Sequence, residues 1–447
     1  MQVRFWGTRG SIATPGPATL RYGGNTSCVE VLTNAGHRII LDFGTGARPL
    51  GLSLMANAPQ PVRATILLSH THWDHIQGFP FFAPLFIPGN QFTVCAPQGV
   101  DRSLADVLAG QMEFTYFPVE LSQLPARIQY QDLPEGIHDL DGVRVVAQFL
   151  HHPATALGYR IEADGAVVIY LCDHEPFSAA IWPDGVVSSR IEGLVHEGDR
   201  RHAAFMKHAD LLIHDAQYTP EEYPAKKNWG HSTFEYAVEL AALADVRRLA
   251  LTHHDPTHDD QQIAEIEQRA RALARKRNFA LHVFCAYEGC DLAVEPPATD
   301  RLRSVAVAAS SLDLPTSELR VLIVDDDANL RLLAGAALAR GGYSVLEAGD
   351  GEEGLQMIEA SKPDLVVLDL DMPKVDGFTV LGRLRSQPQT ARLPVLILTA
   401  QGDERSTRAG FAAGATDYLA KPFTIPQLTS RVRACFARAA AEPQGAA

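Results

Sequence analysis

Apolar residues in the first two thirds of the chain come in short runs, and each run stops near glycine, aspartate or histidine. "CVEVLTN", "HRIILDFGTG", "ATILLSH", "FTVCAP", "VRVVAQFLHH", "LGYRIEA", "AVVIYLCD", "DLLIHDA" and "RRLALTHH" have the length and β-branched content of strands. The opening "MQVRFWGTRG" alternates Val3 and Phe5 with Gln2 and Arg4 in the same way. "HSTFEYAVELAALA" and "DQQIAEIEQRARALARKR" carry helical spacing. Titratable residues gather just past the strand C-termini, where α/β folds build their sites. After the linker-like "VEPPATDRLRSVAVAASSLDLPTSELR", rich in Pro, Ala and Ser, the rhythm changes. Five apolar runs, "RVLIVDDD", "YSVLEAG", "PDLVVLDLD", "PVLILTA" and "TDYLAKP", alternate with amphipathic helices, which predicts a small doubly wound parallel sheet. The chain therefore reads as one domain over residues 1–293, a linker over 294–317 and a second domain over 318–440.

Composition narrows the setting. The 447 residues carry a formal charge of −14. Both parts are acidic, with 14 basic against 17 acidic side chains from residue 317 onward and 25 against 36 before it. A broad electrostatic grip on long nucleic acid is thus disfavoured. Six scattered cysteines form no CxxC pair, which argues against a disulfide framework and a thiolate zinc knuckle. Cys285 and Cys290 read as small buried apolar residues. No apolar run reaches the length of a membrane span, and the N-terminus has no signal-peptide pattern, so the expected location is the cytoplasm, with no membrane partner. All 17 histidines lie between His37 and His282, so two chemistries share the chain.

The densest cluster is "LLSHTHWDHIQG", with His70, His72, Asp74 and His75 after a buried strand. Residues two apart on extended backbone point the same way, and the following pair turns toward a helix. One strand end can thereby feed two neighbouring cations. Imidazole and carboxylate suit zinc, the expected metal, or manganese or iron. Further ligand-type residues recur in "FLHHPATALGYRI" (His151, His152), "VIYLCDHE" (Asp173), "LLIHDAQY" (His214, Asp215), "NWGHSTFEYA" (His231) and "LALTHHDP" (His253, His254).

Together these motifs resemble the metallo-β-lactamase superfamily over about residues 1–290, and within it the ribonuclease Z and phosphodiesterase branch. The resemblance implies an αββα sandwich holding two divalent metals. One would sit on His70, His72 and His152, the other on Asp74, His75 and His253, with Asp173 between them. His152 is preferred to His151 by its spacing to Tyr159, and His253 to His254 because it follows "LT" directly. Cys172 is set aside as a ligand because a strand neighbour of Asp173 faces the other way. "HDAQY" with "HST" is similar to the ribonuclease Z segments in which a carboxylate orients a histidine proton donor. Here the pair would be Asp215 and His231, with Asp shorter than the usual Glu. Asp74, His231 and Asp215 make up the implied catalytic set. A dinuclear site lowers the pKa of bound water, so that hydroxide can attack a phosphodiester, and clamps the oxyanion and leaving oxygen; a positioned imidazole then protonates the leaving group.

The opening "FWGTRGSIATPGPATLRYGGNTSC" resembles small-molecule phosphodiesterases of this branch. It leaves two readings open: Arg9, Asn25 and backbone N–H groups near a phosphate, or tight turns between strands. Asp42 in "LDFGTG" is placed to orient a ligand histidine. "MEFTYFPVE" (112–120) is read as core rather than as a lid or dimer edge. "IEGLVHEGDRRHAAFMKH", with His196, His202 and His208, is read as a solvated insertion near the mouth. The long Gly- and Lys-rich arm of ribonuclease Z is not found.

The second domain resembles a response-regulator receiver of (βα)5, flavodoxin-like architecture. The resemblance implies Mg²⁺ bound near Asp325, Asp326, Asp369 and Asp371, phosphorylation of Asp369, and switch residues Thr399, Tyr418 and Lys421. A sensor histidine kinase or phosphotransfer protein is the implied partner, and a homodimer is allowed. The combined expectation is a phosphorylation-regulated dinuclear-metal phosphodiesterase acting on a cyclic nucleotide or other small phosphodiester. The alternatives are a non-catalytic ligand- or partner-binding response regulator, and a hydrolase of a lactam, lactone or thioester.

Overall fold

The computed structural model describes residues 1–97, 102–178, 190–296, 319–400, 414–423 and 425–441. The chain divides into two compact units, Met1–Val307 and Ala308–Ala447. Most of the linker expected over 294–317 lies outside the described residues.

Two seven-stranded sheets form the first unit. In spatial order the first runs Asp291–Ala293, Gln2–Gly7, Cys28–Leu32, Arg38–Leu41, Arg63–Leu67, Gln91–Pro97 and Arg127–Leu133. The second runs His282–Cys285, Arg248–Thr252, Leu211–Asp215, Ala166–Leu171, Leu157–Ala163, Val143–Phe149 and Gly136–Leu140. In each sheet one half is antiparallel and the other parallel, so several strands end at one edge of the sandwich. The inner faces meet through Val3, Phe5, Val31, Val145, Tyr159 and Ile213, all buried. The outer face of the first sheet is covered by the helix Ala47–Asn57 and neighbouring aromatic turns through Leu50, Phe79 and Phe82. The second is covered by the helices Glu197–Met206, Phe234–Leu243 and Asp260–Lys276, through Phe205, Val238 and Ile266. This is an αββα sandwich.

The strands Arg127–Leu133, Gly136–Leu140, His282–Cys285 and Asp291–Ala293 lie outside the runs named from the sequence, and all four are sheet edges. Each pairs on one side only; three leave much of their length to solvent, which weakens the apolar pattern, and His282–Cys285 is buried past its first residue but only four residues long.

The second unit is a parallel five-stranded sheet in the order Ser344–Ala348, Arg320–Val324, Leu365–Asp369, Val395–Ala400 and Asp417–Lys421. Helices Ala328–Arg340, Gly351–Ser361, Gly377–Ser386 and Ile425–Ala441 accompany it. Residues 401–413, between its last two strands, lie outside the described set. Among the described residues no helix is long and apolar enough to cross a membrane.

Two expectations are corrected here. Phe114 and Tyr116 in "MEFTYFPVE" are 76% and 74% exposed, so only Met112 and the partly buried Phe117 join the core. An aromatic-rich stretch reads as core by composition, but here it turns outward over a short helix end. His196 and His202 are not solvated: both are buried, because their helix packs on the second sheet, and only His208 is partly open to solvent.

Candidate metal centre

Strand ends from both sheets deliver the cluster. His70 follows Arg63–Leu67, and the single helical turn Trp73–Ile76 presents Asp74 and His75. His152 follows Val143–Phe149, Asp173 follows Ala166–Leu171, and His253 follows Arg248–Thr252. The backbone at Asp173 and His253 is left-handed, with φ of 60° and 61°, as it is at Asp42 (58°). Non-glycine residues rarely hold this conformation unless their surroundings impose it, and it turns each side chain off the strand direction.

The Asp173 carboxylate stands between two groups. Its Oδ1 lies 3.2 Å from His75 Nε2 and 3.1 Å from His253 Nε2, each of which also approaches Asp74 Oδ2 at 3.2 and 3.1 Å. Its Oδ2 lies 3.5 Å from His70 Nε2 and 3.7 Å from His152 Nε2, and His152 Nε2 is 3.2 Å from His72 Nδ1. All of these residues are buried except His72, which is exposed and marks the open side.

These atoms converge without satisfying one another. His70 Nε2, His75 Nε2 and Asp173 Oδ1 are buried and make no hydrogen bond. Leaving three such atoms unmet costs on the order of several kcal/mol. Lone pairs aimed at common points are what a divalent cation satisfies, so the donor set fits two metals. Ligand atoms of His70, His72, His152 and Asp173 lie within 4.8 Å of one another, as do those of His75, Cys172, Asp173 and His253.

The second group corrects the sequence reading of Cys172. Its Sγ faces the site beside Asp173, because the left-handed turn at Asp173 breaks the alternation that would have separated them. Burial pushes its thiol well above the ordinary range.

Hydrogen bonds behind the ligands orient the rings. His75 Nδ1 is 2.7 Å from Asp42 Oδ2, which also accepts from the hydroxyls of Ser69 and Tyr170 at 2.9 and 2.7 Å. His152 Nδ1 meets the Gly230 carbonyl at 3.0 Å, and His253 Nδ1 meets Gln217 Oε1 at 2.9 Å. With each Nδ1 turned to these acceptors, each Nε2 is the ring nitrogen aimed at the centre. Burial lowers His70 and His152, the latter to about 3. Burial would lower His75 too, but Asp74, Asp173 and Asp42 outweigh it and carry the ring well above its ordinary value.

Beside the cluster, His231 Nδ1 lies 2.7 Å from Asp215 Oδ2, so the shorter acid reaches its histidine. Asp215 ends its strand, and its Oδ1 accepts from the backbone N–H groups of Gln217 and Ser232. Burial opposes a charged His231, yet Asp215 and then Asp173 prevail and push it up to about 9. The His231 ring stacks on His253 at 4.9 Å between centroids.

Other named residues fall elsewhere. His254 Nε2 bonds the Ala286 carbonyl, and His151 Nδ1 meets that of Glu175. His214 turns away from the centre, to the Asp215 carbonyl at 2.7 Å and His202 Nε2 at 3.0 Å. There it joins a second buried set, in which the rings of His202 and His174 stack at 3.6 Å. His174 Nε2 lies 3.2 Å from the Tyr236 hydroxyl, which donates to Asp199. The Gly-rich opening forms turns: the Arg9 guanidinium donates to the carbonyls of Gly23, Asp255 and His258, and Asn25 donates to Glu288. Neither faces the centre, although the Ser11 N–H donates to Asp74 Oδ2 at 2.7 Å.

Glu175 escaped the sequence reading. Buried, it accepts from the Tyr223 hydroxyl at 2.8 Å and from the N–H groups of Asn228 and Gly230 at 2.7 and 2.8 Å. It thereby fixes the segment that carries Gly230 and His231. Its place two residues after Asp173 was the one available signal.

In the second unit, Asp325, Asp326 and Asp369 bring carboxylate oxygens within 4.8 Å of one another. Lys421 Nζ meets Asp325 Oδ2 at 2.7 Å and Asp369 Oδ2 at 3.0 Å. Burial raises the Asp325 carboxyl, with Lys421 opposing. Thr399 is buried at the end of the neighbouring strand, and Tyr418, opposite Ile397 in the sheet, packs half-buried against the core cluster that holds Ile397. Asp371 lines the cavity beside Asp369 but stands outside the converging carboxylates.

Comparison with known proteins separates the same two parts. Residues 37–187 match the beta-lactamase superfamily domain, a span that holds His70 to Asp173 but not His231 or His253, and residues 321–433 match the response regulator receiver domain. The chain is 46% identical over 127 residues to the DNA-binding dual master transcriptional regulator RpaA of Synechocystis sp., covering 28% of this chain and 53% of that protein. A putative response regulator from Chloroflexus aurantiacus is 46% identical, covering 27% of this chain and 98% of that one, with a TM-score of 0.26. The short form of human tRNase Z is 20% identical, covering 66% and 99%, with a TM-score of 0.44. The chain spans about half the length of the curated relatives it matches.

Proposed function

Because this chain joins a beta-lactamase superfamily fold to a response-regulator receiver domain, we propose that it is a dinuclear-metal phosphodiesterase whose activity is set by phosphorylation of Asp369. The observation that carries the reading is the Asp173 carboxylate, with Oδ1 toward His75 and His253, which also meet Asp74, and Oδ2 toward His70 and His152, beside His72. Those residues would hold two divalent ions, zinc first by donor chemistry and manganese or iron as alternatives. Bound there, the ions would supply a nucleophilic water at neutral pH and neutralise charge on the phosphoryl oxygens.

The chain's own residues do the rest. Asp42, Gln217 and the Gly230 carbonyl hold three ligand rings in one tautomer. Asp215 takes the His231 Nδ1–H, which leaves Nε2–H to protonate the departing alkoxide. The Asp215 carboxylate favours the charged form of that donor. A metal-binding domain with no turnover would not need this pair beside its centre.

Control enters through the second unit. Asp325, Asp326 and Asp369 would hold Mg²⁺, which would neutralise phosphoryl charge, and Asp369 would take the phosphoryl group from a phosphohistidine on a kinase or phosphotransfer protein, releasing its histidine. Lys421 and Thr399 stand ready for the added phosphoryl oxygens.

Metal-loaded protein should hydrolyse bis(p-nitrophenyl) phosphate, and His72→Ala should lower the rate at least 100-fold. Equal rates for the two proteins, or none for either, would sink the phosphodiesterase reading. Turnover of a lactam, lactone or thioester instead would move the assignment to that bond.

A further inference from the structure

The segment from Thr219 to Gly230 carries side chains that cleavage of the bond itself does not use. Trp229 is 57% exposed, although the backbone on either side of it is tied down through the bonds of Asn228 and Gly230 to Glu175. Lys226 Nζ stands 4.4 Å from the centre of the Trp229 ring and 5.9 Å from that of Tyr218. Tyr218 is buried, its hydroxyl has no hydrogen-bond partner among the described residues, and its ring meets His231 edge-on at 5.8 Å. A line of contacts thus runs from the proton donor through Tyr218 and Lys226 to an indole held open to solvent.

The position of the donor sets the orientation of the substrate. The leaving oxygen takes its proton from His231, so the departing half lies on the side of His231, where these residues stand. A large ring kept exposed on a fixed segment has no packing role to explain it, and an indole face is a good platform for another flat ring. The ammonium lies over one face of the indole, so the stacking surface is the opposite face, and its charge favours electron-rich rings and anionic groups.

We infer that Trp229 and Lys226 form a leaving-group subsite for a nucleoside, so that the substrate is a phosphodiester whose departing half carries a base. The inference rests on the phosphodiesterase reading for its orientation, but its test does not depend on turnover. Adenosine 5′-monophosphate places a phosphate in the centre and a nucleoside on its O5′ side, whereas methyl phosphate has the same head and no base. Calorimetric titration of the zinc-loaded full chain should show at least tenfold tighter binding of the nucleotide. Trp229→Ala should remove most of that margin, about tenfold, while Trp229→Phe keeps the larger part of it. Lys226→Ala should narrow it by a smaller factor.

No margin in the unaltered protein, or a margin that survives Trp229→Ala, would overturn the subsite. Hydrolysis of methyl p-nitrophenyl phosphate, measured in parallel, separates the two claims. A Trp229-dependent margin without hydrolysis keeps a nucleoside site at Trp229 but overturns its leaving-group role together with the catalytic reading. Hydrolysis without a margin removes the subsite alone.

Discussion

Replacing Gly230 with alanine tests how the second sheet holds its metal ligand. Gly230 has φ of +90°, and a Cβ built there would lie 2.1 Å from His152 Nδ1, 2.7 Å from His152 Cε1 and 2.5 Å from Pro153 Cδ. Real Cβ atoms essentially never approach within 3.0 Å, so ring and backbone must separate by about 1 Å or more. The Gly230 carbonyl is also the acceptor for His152 Nδ1, at 3.0 Å. That bond cannot survive the separation. A left-handed alanine costs about 1–2 kcal/mol, and a buried donor left unmet costs about 1–3 kcal/mol. The sum, about 2–5 kcal/mol, falls on one ligand of one metal. Loss of an orienting partner alone weakens metal binding about 10- to 100-fold. Zinc competition against a chromophoric chelator should therefore show one of two sites weakened by at least tenfold, with circular dichroism unchanged. Two sites of undiminished affinity in Gly230→Ala would refute the reasoning, because His152 would then not be a ligand held from Gly230.

Further expectations follow from other contacts. Asp215→Asn should lower kcat about 10²- to 10⁴-fold, more for alkyl than for p-nitrophenyl leaving groups, and an equal loss for both would mean that His231 is not the proton donor. Burial, opposed by bonds from Tyr236, Phe177 and Ser178, pushes the Asp199 carboxyl up from 3.8 to about 6. The folded chain therefore holds this proton more tightly than the unfolded one, and the stability it contributes below pH 3.8 is lost as pH rises through about 6. The loss amounts to about 3 kcal/mol. Urea unfolding of the unaltered chain and of Asp199→Asn at pH 4 and pH 7 should show that difference, and parallel curves would contradict it. Asp369→Asn should abolish covalent labelling by acetyl phosphate on a phosphate-affinity gel, and labelling of the unaltered chain should change its hydrolytic rate or its size by light scattering. Identical rate and size with and without labelling would exclude control through the receiver.

Much of the centre was legible because chemistry restricts residue type. Imidazoles and carboxylates are the donors such a centre mostly draws on, and the six-residue cluster from His70 to His75 announces them without help from the fold. The same holds for Asp325, Asp369 and Lys421, each at the end of an apolar run that has no other reason to stop on a charge. The four edge strands were illegible for other reasons: three leave much of their length to water, and His282–Cys285, though buried past its first residue, is only four residues long. His202 looked solvated because a polar helix surrounds it in the chain, and only the packing of that helix on the second sheet buries it beside His174 and His214.

The amino-acid order by itself determined the strand rhythm, the two-part division of chemistry and most of the candidate donor groups, since these follow from local periodicity and donor type. Tertiary structure alone decided where each side chain points. The alternation of a strand holds only while its backbone stays extended, and at Asp42, Asp173 and His253 the chain turns left-handed at its meeting with other strand ends. That turn brings Cys172 to the same side as Asp173 and aims His253 at Asp74. Contacts as distant in the chain as Gly230 and His152 then hold each ring in place, and such contacts have no local signature to read.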